Sequence, residues 1–152
     1  MRSVQLGFMA IGGLLLALGC GGPAAPTIPP LHPVQGVVTL DGKPLAEATV
    51  TFNPVKATKG QGGYGSTNEK GEFEIKYTGN DAPGCPEGDY KVTFQKLVMR
   101  DGTPLTDKSL PGASAEAKNL VPPKYSKFDD LINVVAIGSG GKTDLKFELK
   151  GK

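Results

Sequence analysis

The chain is expected to fold as an all-β domain, a seven-stranded Greek-key β-sandwich, on three observations. Apolar residues recur at every second position in one segment after another, which is the period of strands with a single buried face. Glycine clusters and Asp-Gly or Asn-containing turns fall between those segments, as short strands require. No stretch of eleven or more residues past residue 33 has a 3.6-residue period, so helix is limited to a turn or two, with residues 113–119 the candidate. The 22 glycines and 13 prolines, without a tryptophan, suit a fold rich in turns.

The first element is an export signal. Arg2 precedes 13 uncharged residues from Leu6 to Leu18, too few for the ~20 that cross a bilayer as a helix. Small Gly19 then leads into Cys20, so residues 1–19 have the three-part layout of a secretory signal that is removed. Leu16-Ala17-Leu18-Gly19-Cys20 resembles the lipobox of bacterial lipoproteins, departing from it in holding Ala17 and Leu18 where Leu and a small residue are usual. That resemblance implies a diacylglyceryl thioether on Cys20, with acyl chains such as palmitate, and cell-envelope localisation by a lipid anchor. Gly21 in place of Asp implies the outer membrane. The competing reading is an ordinary signal peptide whose Cys20 stays a thiol. Two or more acyl chains anchor stably where one is marginal.

Residues 20–33 follow as a tether. GGPAAPTIPPLHP, residues 21–33, holds five prolines and no charge, and an extended polyproline chain at ~3.1 Å per residue spans up to roughly 40 Å. His32, the single histidine, falls here. One histidine makes neither a metal site nor a catalytic relay.

Residues 34–152 are then one domain, since about 130 residues remain after the signal and suffice for a single core. Only Arg2 among the charged residues leaves with the signal, so the net charge falls by one from the +2 of the whole chain. So balanced a surface excludes nucleic acid as a partner on electrostatic grounds. Residues 34–40 and 131–137 are nearly continuously apolar, as for strands covered on both faces or central in a sheet. Four others alternate cleanly: Ala48, Val50 and Phe52; Phe73, Ile75 and Tyr77; Tyr90, Val92 and Phe94; Leu145, Phe147 and Leu149. Residues 62–67 supply a seventh strand. The turns are Asp41-Gly42-Lys43-Pro44, Asn68-Glu69-Lys70-Gly71 and Gly138-Ser139-Gly140-Gly141, and seven short strands so spaced imply two packed sheets.

From Gly36 to Phe52 the chain reads GVVTLDGKPLAEATVTF; Thr67 to Phe73 reads TNEKGEF, and Gly88 to Val92 reads GDYKV. In that order these resemble the carboxypeptidase regulatory-like, transthyretin-like domain family, and the whole chain resembles small lipoproteins of this type common in planctomycetes. The resemblance implies the sandwich fold and says little of function, because the same scaffold serves as spacer, binding module and occasional enzyme. Residues 99–130 depart from the family pattern as a long connection, either a binding loop or a packed cover over an edge strand. Within it, Val121-Pro122-Pro123-Lys124-Tyr125 offers an aromatic ring and two prolines to the sandwich edge.

No catalytic set assembles from the reactive side chains. Gly60-Gln61-Gly62-Gly63-Tyr64-Gly65 fits G-x-G-x-x-G, but it leads into another hairpin where a phosphate loop opens a helix. Zinc lacks histidine ligands in the domain. For calcium, Asn80-Asp81, Asp129-Asp130 and Glu116 offer oxygens without an Asp-x-Asp-x-Asp-Gly run. Ser114 and Lys118 miss the S-x-x-K spacing, and Glu72 and Glu74 lie on the solvated face of one strand, unlike a glycosidase pair. Cys85 is either a small, partly buried packed residue or a reactive or intermolecularly bridged thiol. The expectation is therefore a non-enzymatic envelope lipoprotein without cofactor or metal, lipidated at Cys20, that acts as a structural or protein-interaction module toward an envelope protein or glycan. The alternative is a small-ligand or carbohydrate receptor using residues 99–130 with the Gly60 loop, where Tyr125, Phe128 and Tyr64 are the candidate stacking rings.

Overall fold

A computed structural model describes residues 27–55, 58–99, 102, 105, 117–129 and 133–151. The signal, Cys20 and most of the tether lie outside the described residues, as do Ser114, Glu116 and Asp130. The described chain is all-β. Its strands are β1 (Leu31–His32), β2 (Val34–Leu40), β3 (Lys43–Pro44), β4 (Thr49–Pro54), β5 (Gly63–Ser66), β6 (Glu72–Glu74) and β7 (Lys76–Tyr77). β8 (Cys85–Pro86), β9 (Gly88–Gln95), β10 (Leu97–Val98), β11 (Lys118–Asn119), β12 (Val134–Ile137) and β13 (Lys142–Leu149) follow, with one short helix, α1 (Pro123–Ser126), between β11 and β12.

Two larger sheets share one core. The first has the order β12-β9-β4-β5-β7, antiparallel throughout. The second is built on β2, which pairs in parallel with β13 along one side and antiparallel with β3 and β6 along the other. Every inward residue of the four alternating segments is buried, from Ala48, Val50 and Phe52 to Leu145, Phe147 and Leu149. Their rings meet across the layers: Phe52 and Phe73 lie 6.4 Å apart, and Phe94 meets Phe147 edge-on at 4.9 Å. Such tilted contacts suit the ring quadrupoles.

The turns follow from the residues that make them. Asp41 and Gly42 take φ of 51° and 79°, the left-handed pair of a two-residue hairpin joining β2 to β3. Asn68 accepts hydrogen bonds at Oδ1 from the N–H groups of Lys70 and Glu72, at 2.9 and 3.0 Å, so its side chain stands in for a turn of backbone. Thr67 is buried because it closes a similar gap. Its hydroxyl donates to Leu45 O at 2.5 Å and accepts from Ala48 N at 2.9 Å.

Four expectations need correction. Residues 72–77 do not stay in one sheet: β6 pairs with β2, β7 pairs with β5, and the chain crosses at Ile75, whose N–H donates to Val34 O at 2.9 Å. Alternation survives the crossing because both sheets face the same core. β12, expected to be covered on both faces or central in a sheet, is an edge strand among the described residues, with Val134 49% exposed. Among the described residues the helix is Pro123–Ser126, where Pro123 suits the first turn; of the expected residues 113–119, Lys118–Asn119 is strand and 113–116 lie outside the described residues. Finally, the last residues of the tether are part of the fold, because β1 pairs with β8 and Lys142 N donates to Pro33 O at 2.7 Å.

Gly36 explains how the second sheet closes. It sits mid-strand in β2, opposite Phe73 of β6 and Leu145 of β13, and a Cβ there would come within 2.5 Å of Leu145 O and 2.9 Å of the Phe73 ring. The absent side chain lets the two flanking strands fold their apolar groups over it. Gly36→Ala should therefore destabilise the chain by about 1–3 kcal/mol through overpacking. Urea unfolding checks this: the midpoint should fall with an unchanged slope, and an unchanged midpoint would contradict the packing.

Candidate functional site

The end of the sandwich at which the chain enters carries a concavity of about 750 Å³. Its walls come from separate elements: Pro29 and His32 from the entering chain, Lys59 from the β4–β5 loop, Pro86 and Asp89 from β8 and β9, and Ile137 from β12. Local chemistry fixes each wall. Thr58 Oγ1 donates to Asp89 O and accepts from Asp89 N, both at 2.9 Å, which clamps the loop to the start of β9. Gln61 N donates to Tyr77 Oη at 3.3 Å, holding the other limb of the same loop. The resulting surface has buried Pro86 and Ile137 at its base and exposed Lys59 and Glu87 at its rim. A second concavity of about 560 Å³ lies over Gly36, flanked by Glu72, Glu74, Asp144 and Lys146. Glu72 and Glu74 are exposed on one face of β6, as the alternation predicts, and Asn68 Nδ2 donates to Glu72 Oε2 at 2.9 Å.

Cys85 is wholly buried beside Tyr90 and free of any disulfide. Burial pushes its thiol up to about 12, against a smaller opposing effect of its hydrogen-bond contact with Tyr90. The packed-residue alternative therefore describes it, since reactivity needs thiolate. The same burial, with Cys85 beside it, raises the Tyr90 phenol above its ordinary 10.0, while the hydroxyl donates to Pro86 O at 2.8 Å. Tyr64 is different: it is 39% exposed, its hydroxyl donates to Asp81 Oδ1, and that carboxylate raises the phenol.

The three candidate stacking rings are not equivalent. Tyr125 is 8% exposed, part of the core, and accepts a hydrogen bond from Lys150 N at 3.1 Å, so it has no free face for a sugar. Val121 is buried with it, and α1 packs on β9. In this part, the long connection is a cover. Phe128 is 51% exposed with Lys91 Nζ 4.7 Å from its centroid. Lys91 was missed by alternation, which places it on a solvated face, yet it is 3% exposed with its ammonium at the Phe128 ring. The described stem of the connection, β10 paired with β11, follows Gln95, whereas the Gly60 loop packs near Pro86 and Tyr77, beside the Gly88 end of the same strand. The eight residues of β9 keep that stem about 25 Å from the Gly60 loop, while Phe128, later in the same connection, lies at Lys91 nearer the Gly88 end. Among the described residues no three His, Cys, Asp or Glu side chains gather as metal ligands, and no helix is long and apolar enough to cross a membrane.

No family model matches the chain, and no curated protein matches it. Among solved structures it is similar to a 9R-lipoxygenase from Cyanothece PCC8801, at 17% identity and a TM-score of 0.37, over 79% of this chain and 16% of that one. The chain spans about a sixth of that protein's length, and a likeness this slight carries no argument.

The raised Cys85 and Tyr90 groups set a pH dependence. Below pH 9.0, the ordinary value for the thiol, folded and unfolded chains both hold the proton and stability is at its full value. As pH rises from there toward about 12, the unfolded chain ionises first and stability falls. Urea midpoints measured from pH 7 upward should decline above pH 9.0, and Cys85→Ala should lessen that decline. Alkylation mapped to Cys85 at pH 8 should run at least roughly a hundredfold slower than for an exposed thiol; reaction at the ordinary rate in the folded chain would show that the group is not shielded.

Proposed function

We propose that this chain is a non-enzymatic envelope lipoprotein: a signal over residues 1–19, an acylated Cys20, a proline-rich tether, and a carboxypeptidase regulatory-like, transthyretin-like domain serving as a structural or protein-interaction module at the outer membrane. The sandwich is read as the seven-stranded Greek key of that family, with residues 72–77 counted as one strand shared between sheets. What supports it is the agreement in order between the family's turn motifs and the hairpins that use them, at Asp41-Gly42 and at Asn68-Gly71.

The observation that carries the functional reading is the main-chain pairing of β1 with β8 immediately after the prolines. An anchor at Cys20 would be joined to the domain by residues 21–30 alone, at most about 30 Å of extended chain. The end bearing the 750 Å³ concavity would then face the membrane, and the β10–β11 end would be offered to an envelope protein or glycan. Short reach and a main-chain-paired entry suit a positioned module better than a freely swinging receptor.

The test is partitioning. The chain expressed in a bacterial host should enter the detergent phase of a temperature-separated extract, and Cys20→Ser should return it to the aqueous phase. Equal partitioning of the two forms would remove the anchor and, with it, the assignment to the envelope membrane.

A further inference from the structure

We propose that the outward face of the five-stranded sheet binds an uncharged glycan, with Tyr64 and Phe128 as its stacking rings and Thr51, Asn53 and Thr93 as the polar contacts between them. The two larger sheets present opposite surfaces to solvent. Outward from β6 and β13 stand exposed Glu72, Glu74, Asp144, Lys146 and Glu148, a face suited to water. The outward rows of β5, β4 and β9 differ: Tyr64, Thr51 and Thr93 lie side by side, and Ser66, Thr49 and Gln95 form the next row, all without charge. Charge on this face is marginal or covered. Lys76 pairs beyond Tyr64 on β7, Asp89 lines the concavity at the entry end, and Lys91 has its ammonium at the Phe128 ring.

Of the five large apolar side chains exposed among the described residues, Tyr64, Phe128 and Val134 belong to this one face. Exposed apolar residues scattered singly are ordinary, whereas a gathering of them marks a contact surface. Each ring is also held. The Tyr64 hydroxyl donates to Asp81 Oδ1, and Phe128 lies 4.7 Å from the Lys91 ammonium. Between the rings, Asn53 Nδ2 donates to Thr93 Oγ1 at 3.2 Å and to Lys91 O at 3.3 Å, which fixes the polar row as well. Tyr64 on β5 and Lys91 on β9 stand two strands and two residues apart in the ladder, a span of about 12 Å from the strand spacing and rise.

The occupant follows from that alternation of ring, hydroxyl and ring on an uncharged sheet. A sugar ring carries hydroxyls at its rim and C–H groups on its faces, and the negative face of an aromatic ring attracts those C–H groups. Threonine and asparagine side chains both donate and accept, as sugar hydroxyls do. A short oligosaccharide covers the distance between the rings. The core of a protein interface is instead a contiguous apolar patch, which the Thr51–Thr93 row interrupts, and a charged polymer finds no countercharge here. A glycan narrows the partner of the interaction module, on which this assignment rests, from envelope protein or glycan to the second of these.

Affinity electrophoresis of the full chain tests this, in gels containing laminarin, mannan or dextran as neutral polysaccharides, polygalacturonate as the charged control, and a polyoxyethylene detergent that carries no sugar. The readout is the same whether or not Cys20 carries lipid, so failure of the anchor and failure of this face are told apart. At least one neutral polysaccharide should retard the chain, and polygalacturonate should not. Tyr64→Ala and Phe128→Ala should each weaken that retardation by about fivefold or more, while E72Q/E74Q on the opposite face leaves it unchanged. Thr51→Val keeps the side-chain shape and removes the hydroxyl, so it should weaken glycan binding about threefold, where an apolar protein-docking face would lose nothing. The Thr51→Val arm stands even where a ring variant does not fold. Free migration through all the neutral polysaccharides, retardation by polygalacturonate alone, or retardation that Phe128→Ala and Thr51→Val leave intact would each overturn the proposal.

Discussion

Phe94 on β9 and Phe147 on β13 meet edge to face, 4.9 Å between centroids, and around them Phe73 and Phe52 link back to Tyr90 through contacts of about 6 Å. This chain of rings is the constraint on which the remaining structure depends, because it is the point where the two larger sheets share atoms. Each ring needs its strand in one register, since a shift by one residue would turn it outward. The devices at the margins serve that registration. Gly36 admits Phe73 and Leu145 over β2, Thr67 satisfies the backbone where the chain leaves β3 for β4, and Asp41 Oδ1 accepts from Gly151 N at 2.9 Å where β13 ends.

Much of this was legible from two-residue alternation, and the reason is geometric. A strand that packs one face against a core shows the same pattern whatever sheet it joins, so Phe73, Ile75 and Tyr77 were correctly placed inward although the strand changes sheets at Ile75. For the same reason the crossing was invisible, because periodicity reports which face is buried and not which neighbour is paired. Continuous apolarity misled at β12. Val134 and Val135 alternate between exposed and buried like any edge strand, and the outward apolar residue mimics double coverage.

The candidate site was less legible, for reasons that lie in long-range contacts. β1 is two residues between prolines, too short for a period, and exists because Leu31 and His32 find Pro86 and Cys85 more than fifty positions away. Lys91 looks solvated in the sequence, and only the return of the chain through α1 puts Phe128 near its ammonium. Tyr125 shows the converse. A Pro-Pro pair ahead of a tyrosine signals the start of a helical turn, but that the ring faces the core and leaves nothing for a ligand follows from its hydroxyl reaching the backbone after β13.

The cover formed by residues 117–126 and the single ladder of β12 among the described residues are two outcomes of one geometric fact. β9 has eight residues and β12 only four, so β12 shields the first half of β9, opposite Gly88 to Lys91, and leaves the second half in need of another partner. That partner is the returning connection: Leu120 N donates to Lys96 O at 2.9 Å, Asn119 Oδ1 accepts from Lys96 N at 3.0 Å, and Val121 and Tyr125 fill the gap beside β9 from the side. The connection is spent on this gap, and its described residues form no ladder with β12. Burial therefore had to be supplied twice along the same flank, once by a short strand and once by a loop with a helical turn. The short strand pairs on one side only among the described residues, and the loop with its helical turn completes the cover of β9.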